Sequence, residues 1–395
     1  MMAQEFLPLC DVLFNIISLA AYFCDIVFDL VTVYTLYETN QIIWFVVALL
    51  FIMTSLITCQ IVSFKWRNPK NCTFLILTLH CLQCGVLWRY FKLFVPVDLR
   101  HVKLDVRDLC ILRMIHAFCQ SIPMLMIQLY LTWNRENIYQ ITRLNILSTI
   151  LSLLNVCWAL ASFNKNIRNK NVHKLVLTWL GVVSQLFWRI GTVSARVVVL
   201  TVYATLYHHW TLLVIFLHWL TMFLWLISPK NVFRGEKISF VKKYLLSTII
   251  GFIYVFCYIN LQESNAWRKV VAFYTTMCLE NSLLMAVWLV HRPHSTWFEV
   301  PAIVIVWGGF GFGILSMIVY YQCFHLRRIS SHEVNGVGHT SANSDAEAAT
   351  NKTPKLTMLK VNGVGYVPGV FNCRLNPALK RKKRNQRLLC HHPRR

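Results

Sequence analysis

The chain has 395 residues, of which 56% are hydrophobic and only 14% are charged, and its net charge is +23. A soluble globular domain cannot bury so large an apolar share, so this composition predicts a polytopic membrane protein. The basic residues lie in short loops between apolar stretches and in the tail, as the positive-inside rule describes, so their excess does not indicate nucleic-acid binding.

Ten apolar stretches follow one another along the chain, and each is long enough to be considered as a membrane helix. They lie near residues 11–37, 42–64, 73–95, 109–133, 145–163, 175–206, 209–228, 243–261, 270–290 and 298–324. The sequence therefore predicts an all-α fold, a polytopic membrane helical bundle.

The basic loops indicate which stretches cross the membrane. Loops 65–72, 164–174 and 229–243 are rich in Lys and Arg, which predicts that they face the cytoplasm together with the tail. Loops 38–41 and 207–209 contain neither residue and should be external. Ten crossings would place two of the basic loops outside. The conflict disappears if the fourth and ninth stretches enter from the outer side and return, which predicts eight transmembrane helices, two re-entrant helices and cytoplasmic termini.

The fourth and ninth stretches also have the most polar interiors, which supports their assignment as re-entrant helices. The fourth contains His116, Gln120, Pro123 and Gln128. Broken or non-spanning helices are tolerated in a membrane where protein or water covers them.

Weak internal matches suggest two pseudo-symmetric halves of five helices each. Thr32-Val33-Tyr34 near the end of the first stretch is matched by Thr201-Val202-Tyr203 in the sixth. Many transporters are built from such repeats. The predicted regions are a short cytoplasmic N-terminus (1–10), a first membrane half (11–164), a second membrane half (165–325) and a disordered basic cytoplasmic tail (326–395).

Several apolar stretches contain charged residues that a lipid-facing helix would not tolerate. They are Asp25, Asp29, Arg89, Arg189, Arg196 and Glu280. An ionised side chain at mid-membrane costs roughly 2.5 to 3.5 kcal/mol, so each needs a partner or a water-lined face. Asp25 and Asp29 share one face of the first helix, and Arg189 and Arg196 share one face of the sixth, so we expect acid–base pairs between the halves. Such pairs either hold the bundle together or form a ladder of charges along which a polar group passes.

The tail contains an unbroken basic run and a single aspartate, Asp345. The run is Lys380, Arg381, Lys382, Lys383 and Arg384. It would attract anionic lipid of the inner leaflet at about 1 kcal/mol per charge, or it is a solvated charge run or trafficking signal. No nucleotide, metal or catalytic motif stands in a suitable context, so the sequence predicts no enzyme activity, no cofactor and no metal.

The pattern of these residues resembles the XK-related family of membrane proteins, over about residues 11–325. The matching positions, in chain order, are Asp25, Asp29, Trp88-Arg89-Tyr90, Arg113, Pro123, Gln128-Leu129-Tyr130, Glu280-Asn281, Leu283-Leu284 and Trp288. No single motif is very specific, but their order and spacing together are.

The resemblance implies a plasma-membrane phospholipid scramblase, or a subunit of one, that exposes lipids such as phosphatidylserine without ATP. The lipid path implied by the family is Asp11, Asp25, Asp29, Arg89, Arg189, Arg196 and Glu280. It also implies phospholipids as ligands, with a single-span accessory subunit, a cytoplasmic lipid-transfer protein or a second copy as candidate partners. The alternatives are a scaffold that anchors a lipid-transfer protein, and a solute transporter.

Two features bear on regulation within that family. Many members carry glutamates where this chain has His116 and Gln120, so the path is less acidic here. Some members are activated in apoptosis when caspases remove a terminal segment. Asp345 is the candidate cleavage position, although Ala342 stands where such proteases prefer an acid.

Overall fold

A computed structural model describes residues 9–66, 78, 84–94, 99–134, 143–167, 179–228, 240–260, 267–292 and 296–325. Within these ranges the secondary structure is helical, with no β-strand, which confirms the predicted all-α membrane bundle. The helices are α1 (Leu9–Glu38), α2 (Ile42–Lys65), α3 (Gly85–Phe94), α4 (Leu99–His116 and Ile122–Trp133), α5 (Arg143–Ile167), α6 (Trp179–Tyr207), α7 (His209–Ile227), α8 (Phe240–Tyr254), α9 (Trp267–His291) and α10 (Glu299–Ile303 and Phe310–Val319).

Two of these helices contain π-helical turns. In α4 the turn covers Ala117–Ser121, and in α10 the turns cover Val304–Gly309 and Tyr320–His325. The described residues up to Met317 belong to one compact unit, and those from Ile318 to His325 belong to a second.

Eight of the described helices are long and apolar enough to cross a membrane, which agrees with the predicted number of spans. They include Asp105–Trp133 of α4 and Trp267–His291, which is α9. Both of these stretches form one continuous helix that does not turn back. The prediction that the fourth and ninth stretches are re-entrant is therefore wrong. The short helices are α3, with 10 residues, and α8, with 15. At about 1.5 Å per residue, α8 is about 22 Å long and does not span a hydrocarbon core of about 30 Å.

The reason for this error is the position of α4 inside the bundle. In its apolar window 78% of the residues are buried, compared with 28% for α1 and 22% for α2. Polar residues of α4 therefore face other helices and do not require a non-spanning geometry. The positive-inside argument requires one non-crossing stretch in each half, but it does not distinguish the third stretch from the fourth, or the eighth from the ninth.

This topology makes a prediction about the chain that connects α2 to α4. If the third stretch does not cross, α4 begins on the side of the membrane where α2 ends. We expect a glycosylation acceptor inserted just before Leu99 to remain unmodified, and the same acceptor inserted after Asn134 to be glycosylated. The measurement is the endoglycosidase-sensitive gel shift of each variant. Glycosylation at both positions would show that the third stretch crosses.

Helix α6 lies at the centre of the bundle and packs against α4, α5, α7, α9 and α10. The contact with α10 is close enough to bring two backbones together. A Cβ atom added at Gly191 would lie 2.4 Å from the carbonyl oxygen of Gly309 and 2.7 Å from the Cα of Gly313. Small residues permit such close helix packing in membranes, where dispersion contacts replace the hydrophobic effect as the driving force.

Candidate functional site

Asp25 of α1 is buried in a hydrogen-bonded network. One carboxylate oxygen, Oδ2, accepts from Ser121 Oγ at 2.7 Å and from Asn155 Nδ2 at 2.8 Å, and it lies 3.1 Å from His116 Nε2. The other ring nitrogen of His116 lies 3.1 Å from Ser55 Oγ on α2. Because helices α1, α2, α4 and α5 all contribute, this carboxylate is stabilised only when the four are packed together.

Asp29 lies one turn after Asp25 on α1 and accepts a hydrogen bond from Gln120 Nε2 at 2.8 Å. Gln120 and Ser121 are consecutive, yet both side chains reach α1, because they lie in the π-helical turn of α4. Such a turn inserts an extra residue into the helix and occurs often at functional sites. Pro123, which lacks a backbone N–H, follows at the start of the next helical segment, where the missing donor is tolerated.

Towards the start of α4, the polar contacts continue through three further groups. Arg113 Nη2 donates to Asn155 Oδ1 at 2.8 Å. Arg89 of α3 donates to the side chain and the carbonyl oxygen of Ser63, both at 2.7 Å, and its Nη1 lies 3.6 Å from Asp108 Oδ2. Helix α3 is thereby attached to α2 and α4 by its arginine.

Towards the other end of α4, Gln128 Nε2 donates to Ser148 Oγ at 2.8 Å and to Thr32 Oγ1 at 3.3 Å. From Asp108 to Gln128 the helix rises about 30 Å, at about 1.5 Å per residue. This matches the thickness of the hydrocarbon core, so the row of polar groups is long enough to extend across a membrane. We call this set the polar column; its members are Asp25, Asp29, Thr32, Ser55, Arg89, Asp108, Arg113, His116, Gln120, Ser121, Gln128, Ser148 and Asn155.

A second group of ionisable side chains, the arginine cluster, consists of Arg189, Arg196, His218, Glu280 and Asn281. Arg196 Nη2 donates to Glu280 Oε2 at 2.8 Å, and its Nη1 donates to Asn281 Oδ1 at 2.9 Å. His218 Nδ1 lies 2.7 Å from the same Glu280 oxygen. The cluster therefore joins α6, α7 and α9 through one carboxylate.

The two arginines also bind backbone carbonyl groups at the end of α8. This helix ends at Tyr254 inside the protein, and the buried residues that follow are not helical. The last carbonyl groups of a helix lack partners within it and need other donors. Arg196 Nε donates to the Val255 oxygen at 3.0 Å, and Arg189 Nη1 donates to the Tyr258 oxygen at 2.7 Å. Both arginines therefore have a structural role at the end of a non-spanning helix.

The acids of α1 and the bases of α6 thus belong to two separate groups. The predicted pairing of Asp25 and Asp29 with Arg189 and Arg196 is wrong. The aspartates bind side chains of α4 and α5, and the arginines bind α9 and the end of α8. Each charge finds partners within its own half of the chain, because helices of the same half supply the nearest polar groups.

Sequence reasoning missed two residues that complete these groups. Asn155 joins Asp25 to Arg113, and His218 contacts Glu280. Both stand inside otherwise apolar helices, and a polar residue within such a helix is itself a signal of a buried interaction. The sequence prediction included uncharged polar residues only in the fourth stretch, and Asn155 and His218 lie in the fifth and seventh.

Some predicted positions lie outside the part of the chain that the structure describes. They are Asp345, Lys380, Arg381, Lys382, Lys383 and Arg384. Asp11 belongs to α1, but its side chain is also outside the described set. The roles predicted for these residues stay predictions.

A family model described as XK-related protein matches residues 13–326. The matched region includes the polar column, the arginine cluster and all eight spanning helices. The match covers well over half of the chain. It agrees with the resemblance to this family that Asp25, Asp29 and Glu280 indicate in the sequence. The chain therefore belongs to the XK-related protein family.

Proposed function

We propose that this multi-pass membrane protein is an ATP-independent phospholipid scramblase, which moves lipids such as phosphatidylserine between leaflets. The observation that carries this proposal is the polar column, whose hydrogen-bonded side chains extend for about 30 Å, the thickness of a hydrocarbon core. A lipid headgroup that crosses bare hydrocarbon loses its hydration at a large free-energy cost. Polar side chains along the route lower this cost.

The column is enclosed in the described conformation. Asp25, Asp29 and Gln120 are at most 1% exposed. Headgroups reach them only if α1 moves away from α4 and α5, so we propose that this conformation is the resting state. Cleavage after Asp345 is the proposed trigger, with the protein in the plasma membrane and both termini in the cytoplasm.

The same enclosure favours solute transport as a second candidate function. A transporter moves its substrate inside the protein, whereas a scramblase leaves the acyl chains in the surrounding lipid. Asp25, Asp29 and their polar partners are buried, so they can be reached only from inside the protein. The flipping assay below separates the two functions, because a transporter does not move labelled phospholipid.

We expect Asp29→Asn to slow lipid flipping by about tenfold, equivalent to about 1.4 kcal/mol. The substitution removes a charge from the column but keeps the size of the side chain and an oxygen that accepts from Gln120, so the fold should persist. The assay follows the accessibility of an acyl-labelled phospholipid to dithionite in liposomes that contain the full-length protein or a chain truncated after Asp345. Glu38→Gln, the same chemical change at the exposed end of α1, should flip lipid at the wild-type rate.

Equal rates for the wild type and Asp29→Asn would show that the column is not the lipid path. If both the full-length and the truncated protein fail to flip lipid, the scramblase proposal is wrong. A solute transporter, or a scaffold for a lipid-transfer protein, would then remain.

A further inference from the structure

Glu280 brings a carboxylate to the lipid-facing surface near the middle of a spanning helix. Its side chain is 33% exposed, and it lies close to the centre of α9 (Trp267–His291). The apolar neighbours Leu279 and Leu283 are 67% and 64% exposed, as expected of residues in contact with acyl chains. The carboxylate therefore stands at the boundary between protein and lipid, where an unneeded charge would be costly.

The cation beside this carboxylate is not accessible from the lipid. The Arg196 side chain is 0% exposed, and each of its three nitrogens donates to an acceptor of the protein. His218, the other neighbour, has a side chain that is only 2% exposed. A phosphate group that approached along the lipid-facing surface would meet Glu280 and would find no available guanidinium.

One oxygen of Glu280 is available for a further donor. Arg196 and His218 both contact Oε2. Among the described residues, none forms a hydrogen bond with Oε1. A carboxylate oxygen at a boundary of low polarity is a strong acceptor for a cationic N–H donor, because charge-assisted hydrogen bonds are about twice as strong as neutral ones. The surface therefore favours a primary ammonium group.

We infer that Glu280 receives the primary ammonium group of a phospholipid headgroup at the surface of α9, outside the polar column, and thereby favours the entry of lipids that carry this group. This inference rests on the proposed scramblase function. It names phosphatidylserine and phosphatidylethanolamine as preferred lipids, because their ammonium groups carry N–H donors. Phosphatidylglycerol, which has hydroxyl groups in place of the ammonium, is disfavoured.

The test compares two acyl-labelled probes of equal net charge, phosphatidylserine and phosphatidylglycerol. The liposomes contain whichever chain flips lipid in the assay above, the full-length protein or the chain truncated after Asp345. We expect the serine lipid to be flipped about threefold to tenfold faster, the range that one exposed charge-assisted hydrogen bond supports. The ratio of the two rates is independent of how much protein is folded and inserted, so it isolates selectivity from yield.

Three substitutions relate the preference to Glu280. In Glu280→Gln the side chain keeps its size but loses its charge, and the ratio should fall to about one, as for lipids that bind equally. Glu280→Asp retains the charge and should retain a preference for the serine lipid. Leu283→Gln, which introduces an uncharged amide one turn away on the same exposed surface, should leave the ratio unchanged.

Each outcome decides a separate question. Equal rates in the wild type, or a ratio that Glu280→Gln does not alter, would overturn the inference while the scramblase proposal stands. Faster flipping of phosphatidylglycerol would also overturn it, because the lipid without an ammonium group would then be preferred. The absence of flipping for every probe would overturn the proposed function and the inference with it.

Discussion

Arg196→Leu is expected to destabilise the folded protein by about 3 to 5 kcal/mol, the usual cost of removing one partner from a buried ion pair. The guanidinium donates to a carboxylate and a carboxamide on α9 and to a backbone carbonyl just after α8. Leucine supplies none of these donors. Val255 and Asn281 would then keep buried acceptor oxygens without a partner, and Glu280 would keep only His218.

The measurement is the thermal unfolding midpoint of the detergent-purified protein, followed by the loss of the monodisperse peak in size-exclusion chromatography after heating. Arg196→Lys keeps the charge but loses the planar array of donors, so its midpoint should lie between those of the wild type and the leucine variant. Arg268→Leu removes an exposed arginine near the start of α9 and should have little effect. A leucine variant as stable as Arg268→Leu would show that the cluster does not hold α8 in place.

Gly191→Ala is expected to cost about 3 kcal/mol, at the upper end of typical overpacking penalties. The added methyl group would lie 2.4 Å from the Gly309 oxygen and 2.7 Å from the Gly313 Cα. Both are backbone atoms, so the contact is relieved only if α6 and α10 move apart. Because α6 is also packed against α4, α5, α7 and α9, that movement disturbs the centre of the bundle.

The chain offers a matched control for this substitution. A Cβ atom added at Gly311 has no atom within 4 Å. Gly311→Ala should therefore be neutral or slightly stabilising, since alanine favours a helix over glycine by about 0.5 to 1 kcal/mol. The two variants differ only in the position of one methyl group, and opposite shifts of the unfolding midpoint are expected. Equal midpoints would mean that the close contact between α6 and α10 is absent in solution.

Much of the architecture follows from the amino-acid sequence by itself. The positions of most apolar stretches and the number of spans agree with the structure, because the length and hydropathy of a segment decide whether it can cross a membrane. The importance of Asp25, Asp29, Arg196 and Glu280 as buried or boundary charges was also predictable, since each stands within an apolar stretch. These are properties of individual segments and need no knowledge of their neighbours.

Only the tertiary structure decided which stretches are short and which groups each charge meets. Gln120 binds Asp29 across 91 residues of sequence, and Arg196 binds Glu280 across 84. Such partners depend on how whole helices pack, and several arrangements of apolar helices satisfy the same hydropathy and loop charges. The enclosure of α4 is likewise a property of the bundle. Because α4 is enclosed, its polar residues can lie in a helix that spans the membrane. From the sequence alone, the same polar residues indicated a helix that turns back.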